Sequence, residues 1–152
     1  MEKLSLGQLV RSERGAELIE MAIVTPILLL LVMGVVDFGF LFQRYIVLTN
    51  AAVEGARVAT LPGYDWQSDG EARALAYAAA GGISGPVTAS AVLVSLPGAG
   101  GGTWPGVQIT VTHVYNLQYI TPIAVLVGGT SAASITLTAQ STMRSQVAGG
   151  GT

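Results

Sequence analysis

The chain has 152 residues, room for one domain of ordinary size, yet only 11% of them are charged and 51% are hydrophobic. A soluble domain is usually about one quarter charged, so an ordinary cytosolic protein is excluded. A net charge of -2 gives no footprint for nucleic acid, and the absence of cysteine excludes disulfides, thiol catalysis and thiolate metal sites.

The first element in chain order is a short polar leader, residues 1–15. From Met21 to Val36 there is no charge, and beyond Asp37 the apolar character continues through Phe42. About twenty apolar residues at roughly 1.5 Å each cover the hydrocarbon thickness of a bilayer. Met21 to Phe40 meets that length if Asp37 lies near the far interface, so the sequence predicts one transmembrane helix at about 18–42. A cleaved secretory signal fits less well, because its apolar region is usually only about 7–15 residues and ends in small residues. Here "DFGFLFQRY" follows. Lys3, Arg11 and Arg14 precede the span and Arg44 is the first basic residue after it. Positive-inside counting therefore puts the N-terminus in the cytoplasm and the rest outside.

Helical character continues past the span. Leu41, Tyr45, Leu48, Ala52, Ala56 and Ala59 recur at spacings of three and four, the apolar face of an amphipathic helix. Residues 16–60 are predicted as one long helix, bent at Pro26 and stopped by "LPG" at Leu61 to Gly63. Arg57 is spaced to pair with Glu54 on this helix, the alternative being a contact with another subunit. A second helix starts at Ser68, where Ser68 and Glu71 have capping-box spacing, and ends at Gly81 and Gly82.

From Val87 onward the period changes to two. Val107, Ile109, Val111, His113 and Tyr115 form one face of a strand, and Ile135, Leu137, Ala139 and Met143 form one face of another. Val87 to Leu96 is a weaker strand, joined to the next by "PGAGGGTWPG" as a long hairpin loop. "TPIAVLVGG" reads as a short apolar turn of helix, and residues 147–152 as a disordered tail. A three-stranded sheet with one apolar face and a helix with one apolar stripe cover each other most economically. The predicted fold is α+β: a long N-terminal helix, its lower half transmembrane, packed on a small antiparallel sheet in an extracytoplasmic head of residues 61–146.

Other motifs carry little chemistry. His113 lies on an apolar strand face and reads as a hydrogen-bonded core histidine; as the only histidine in a cysteine-free chain it cannot build a standard zinc site. "DWQSDGE" has the opening spacing of a calcium loop but Ala76 stands where the bidentate glutamate belongs, so it reads as a helix-capping loop. The glycine-rich hairpin lacks the Gly-Lys-Ser/Thr ending of a phosphate loop.

The residues "RGAELIEMAIVTPILLLLVMGVVDFG", "LTNAAVEGARVAT" and "ITLTAQSTMRSQ" resemble the TadE-like pseudopilins of the tight-adherence (Tad, or Flp) pilus system. Gly15, Glu20, Pro26, Asp37, Phe38, Gly39, Gly55, Ala56, Arg57 and Ala59 match the family pattern; Met21, where an aromatic is common, and Glu17, where a small residue is usual, depart from it. The resemblance implies a structural, non-enzymatic minor pilin or pseudopilin without a cofactor. It implies cleavage between Gly15 and Ala16 by a prepilin peptidase, with Glu20 and Met21 in the recognised region. Glu20 would then be neutralised by the new amine of a neighbouring subunit. The implied partners are other pilins, the peptidase, membrane lipid, and an inner-membrane assembly platform with its secretion ATPase. Asp37 would reach the outer headgroups or pair with a basic residue of another pilin. Pro26 and Gly34 would let the helix bend during extraction. An uncleaved single-pass anchor displaying a small binding domain is the alternative, and an exported enzyme a third class without a visible catalytic constellation.

Overall fold

The computed structural model describes residues 13–98, 100–126 and 134–145. The elements are α1 (Glu13–Ala59), α2 (Ser68–Ala80), β1 (Val87–Pro97), β2 (Thr103–Asn116), α3 (Ile120–Leu126) and β3 (Ser134–Arg144). The strands form one antiparallel sheet in the order β1-β2-β3. The fold class is the α+β arrangement read from the sequence, a long apolar helix packed on a small three-stranded sheet. The expected tail at 147–152, residues 1–12 of the expected leader and the "GG" after α3 lie outside the described residues, while residues 13–15 already belong to α1.

The chain divides into two compact units. One unit contains, among the described residues, 13–38 and 118–126; the other contains 39–117 and 134–145. The segment after β2, expected with the head, thus groups with the apolar part of α1.

In the larger unit, the buried line of α1 is Leu48, Ala51, Ala52, Ala56 and Ala59, with Leu41 packed at its edge. Opposite it lie Val107, Ile109, Val111, Tyr115, Leu137 and Ala139, the faces that the alternation of two selects. Tyr45, expected on the buried stripe, is 44% exposed. Its neighbour Arg44 takes the inward place in that turn and lays its guanidinium 5.2 Å from the centre of the Tyr115 ring.

Helix α2 crosses α1 at unusually close range. A Cβ on Gly55 would lie 2.8 Å from the Gly70 carbonyl oxygen and 2.8 Å from the Ala74 methyl, and one on Gly70 would lie 2.8 Å from the Ala59 methyl. The two backbones meet because neither glycine has a side chain. Ile109 of β2 closes the crossing from the sheet side, its Cγ2 and Cδ1 reaching the positions above Gly55 and Gly70. The helix starts at Ser68 as expected, but Ser68 and Glu71 do not cap it. Asp65 does: its Oδ1 accepts from the backbone N–H groups of Gln67 (3.0 Å) and Ser68 (2.7 Å) and from the Ser68 hydroxyl (2.9 Å). Asp69 reaches back to the Asp65 N–H at 2.8 Å. The Ser68 bonds, backbone first, hold the Asp65 carboxyl below the usual carboxylate range. Glu71 instead accepts the Ala91 N–H of β1 at 2.9 Å.

The hairpin is tighter than expected. Pro97 pairs with Thr103 and Ser95 with Pro105, so the ladder takes in residues expected in the loop. Proline is tolerated in β2 because β3 ends at Arg144, opposite Gly106; beyond that point the missing N–H is not needed for the ladder. The Pro105 carbonyl still accepts the Ser145 N–H at 2.9 Å. Arg144 stacks on Trp104, with 3.6 Å between guanidinium carbon and ring centre. His113 is buried, its Nδ1 3.1 Å from the Pro86 carbonyl, as a core histidine should be.

Gly55→Ala should destabilise the detergent-solubilised chain by up to about 2 kcal/mol. The clash with a backbone carbonyl costs roughly 1–3 kcal/mol and outweighs the roughly 1 kcal/mol gained in helix propensity. Gly39→Ala, with nothing within 4 Å of the new methyl, should be neutral or stabilising. Thermal unfolding followed by circular dichroism compares the two.

Candidate functional site: the apolar helix and its carboxylates

Residues of α1 from Leu18 to Phe42 carry large apolar side chains on every side of the helix, and most of them are exposed: Leu18 at 72%, Leu31 at 62%, Val35 at 66%. A helix apolar all round belongs in lipid or in a bundle. This one is long and apolar enough to cross a membrane, and none of its most apolar window is buried within the chain.

The helix continues without interruption through Pro26. Proline has no N–H for the Ala22 carbonyl. One residue earlier the Thr25 hydroxyl donates to the Met21 carbonyl at 2.6 Å, a side-chain bond of the kind that bends helices. Gly15 and Ala16 also lie inside α1, as do the exposed Glu17, Glu20 and Met21, with Glu20 about one turn beyond Ala16.

Asp37 makes a set of bonds within its own chain that the sequence reading did not include. Its side chain is fully buried. Oδ1 accepts the Gln118 N–H at 3.0 Å, and Oδ2 accepts those of Tyr119 at 3.0 Å and Ile120 at 2.7 Å. These amides lead into α3, where the first N–H groups of a helix have no intrahelical acceptor. A carboxylate close to an apolar run is costly, and so are orphan amides; each removes the other's cost. One turn earlier, Gly34 leaves room for Ile120, whose Cδ1 lies 3.5 Å from where a Cβ would stand. The sequence offers no signal for this pairing, because 81 residues separate Asp37 from Gln118.

Arg57 is held as its spacing predicts. Its Nε and Nη2 donate to the two Glu54 oxygens at 3.0 and 2.9 Å. Arg73 of α2, which sequence reasoning missed, also donates to Glu54 Oε1, at 2.8 and 3.1 Å. Hydrogen bonds from Arg57 and then Arg73 pull the Glu54 pKa from its usual 4.5 to about 2. The "VEGARVAT" stretch is therefore an assembly of structural parts: Glu54 clamps two arginines, Gly55 admits α2, and Ala56 and Ala59 enter the core. Among the described residues, no group of three His, Cys, Asp or Glu could hold a metal ion.

The chain joins a membrane-capable N-terminal helix to a small antiparallel sheet that the helix's continuation covers. The family model described as TadE-like protein matches residues 15–57, in agreement with the resemblance seen in the sequence. The match ties the chain to pilin-like proteins associated with tight-adherence pili. It spans the apolar run, Asp37 and the glycine of the helix crossing, and ends at Arg57. No curated protein and no solved structure matches the chain.

Asp37→Ala should leave three part-buried amides without their acceptor, at up to about 1–3 kcal/mol for each one not rehydrated. Hydrogen exchange at Gln118, Tyr119 and Ile120 should quicken by tenfold or more, read by peptide-level mass spectrometry.

Glu54 has a lower pKa folded than unfolded. Its contribution to stability is thus complete above about pH 4.5 and lost as pH falls toward about 2. Melting temperatures of the native chain should drop across that interval, and Glu54→Gln should drop less steeply from a lower starting value.

Proposed function

We propose that the protein is a structural minor pilin or pseudopilin of a tight-adherence pilus. The observation that carries this reading is the TadE-like match at residues 15–57, which falls on a helix whose large apolar side chains stay exposed. Such a surface suits lipid before assembly and the helices of sibling subunits after it. The chain inserts in the inner membrane with its N-terminus cytoplasmic and the remainder outside, since the basic residues cluster before the span.

A prepilin peptidase cuts between Gly15 and Ala16. The bond lies in the first turn of α1, so it must unwind to enter a protease, and glycine makes that turn easy to open. Cutting removes Arg11 and Arg14 and frees the amine of Ala16. Glu20 then stands as an exposed carboxylate at the entrance to the span, and a neighbour's amine neutralises it. Arg57 is committed to Glu54 and Asp37 to its own chain's backbone. Subunit contacts therefore run through the apolar face and Glu20. Extraction draws on an assembly platform and its secretion ATPase, and the subunit joins the pilus or primes it. The chain acts as a building part and not as a catalyst.

The N-terminus of the protein recovered from cells with a working pilus system should be Ala16 by mass spectrometry, and Gly15→Val should retain residues 1–15. Glu20→Ala should insert and be cleaved normally but fall several-fold in the sheared pilus fraction. A wild-type protein that keeps residues 1–15 in such cells is instead an uncleaved anchor, and the proposal fails.

A further inference from the structure

The segment that Asp37 holds has no place in the functional reading so far. Helix α3 reads "ITPIAVL", without a charge, and Val125 on it is 57% exposed. It belongs to the compact unit of the span and not to that of the sheet. We propose that α3 is a second membrane contact, seated among the lipids of the leaflet farther from the N-terminus; this rests on the reading of α1 as a membrane span.

Depth along the helix carries the argument. From Leu18, the first apolar residue of the span, Gly34 lies about 24 Å along α1 and Asp37 about 28 Å. The hydrocarbon core is about 30 Å thick. Ile120, packed at Gly34, therefore sits at a level where the surroundings of α1 are still acyl chains. A segment can enter that zone only if its backbone polar groups are satisfied without water. The amides at the start of α3 meet this condition, because the Asp37 carboxylate takes all three of those from Gln118 to Ile120. The same bonds relieve Asp37, whose charge would otherwise be costly beside lipid. Val125, exposed on α3, and the exposed apolar side chains of α1 then share one lipid environment. Asp37 acts as a positioning residue: it touches no lipid and fixes the level at which α3 starts.

The chain has no cysteine, so one introduced thiol gives one labelled position. The full chain, reconstituted in phosphatidylcholine vesicles, is labelled with the fluorophore NBD at Val125→Cys, at Leu30→Cys in the span, or at Gln140→Cys on the exposed side of β3. The label at position 125 should be quenched by doxyl-phosphatidylcholine and spared by aqueous iodide, as at position 30 and opposite to position 140. Adding Asp37→Ala should cost the label at 125 its doxyl quenching and leave position 30 unchanged. Iodide quenching at 125 equal to that at 140, with 30 still in lipid, overturns the lipid contact and leaves the span intact. Iodide access at both 30 and 125 removes the span and this inference together. Shielding of 125 from both quenchers, relieved by diluting the protein in lipid, would mean that a second copy covers α3 and also overturns the proposal. Doxyl quenching at 125 that survives Asp37→Ala overturns the positioning role.

Discussion

One helix has to satisfy two different surroundings, and the rest of the chain is arranged around that constraint. Along Leu18–Val36 the side chains are large, apolar and exposed on all sides. Along Leu48–Ala59 the apolar positions narrow to a stripe of small residues that fits under a sheet. Bulky side chains suit a fluid neighbour that adapts its shape. Alanine and glycine suit a fixed neighbour, because close backbone approach is the gain available there. The change of character falls where Asp37 and Gly39 interrupt the run.

At that change the structure uses polar backbone in place of a second charge. Among the described residues no ion pair to Asp37 is seen; the amides of Gln118, Tyr119 and Ile120 solvate it. Farther along, Glu54 follows the opposite rule and gathers Arg57 and Arg73. The difference follows the surroundings. The two arginines at Glu54 are themselves half-exposed and remain partly hydrated, whereas a guanidinium buried with Asp37 would need its remaining donors satisfied away from water.

Much of the fold was legible in the sequence, because it depends on local period. The continuous helix through Pro26, the start of α2 at Ser68, the inward faces of β2 and β3 and the Glu54–Arg57 pair all follow from spacing. Features fixed by contacts distant in sequence were not legible. Tyr45 has the right spacing for the buried stripe, but Arg44 can reach Tyr115 and takes the inner place. Ser68 and Glu71 have capping-box spacing, but Asp65 is a better acceptor and Glu71 finds a strand amide. Thr103 to Gly106 reads as loop from its Pro and Gly content, and pairing with β1 overrides that preference. The Asp37 site is the extreme case: one carboxylate far from its amides, with no pattern in either stretch to betray the other.

The stacked pair of Arg144 and Trp104 has an optical consequence. They meet on one face because β2 and β3 are aligned with Arg144 opposite Gly106. Sliding β3 by a single position would turn Arg144 to the other side of the sheet and strip the indole of its cation. With Trp66 replaced by Phe, the emission of Trp104 therefore reports, without an added dye, whether the closing strand of the sheet has zipped into its proper alignment.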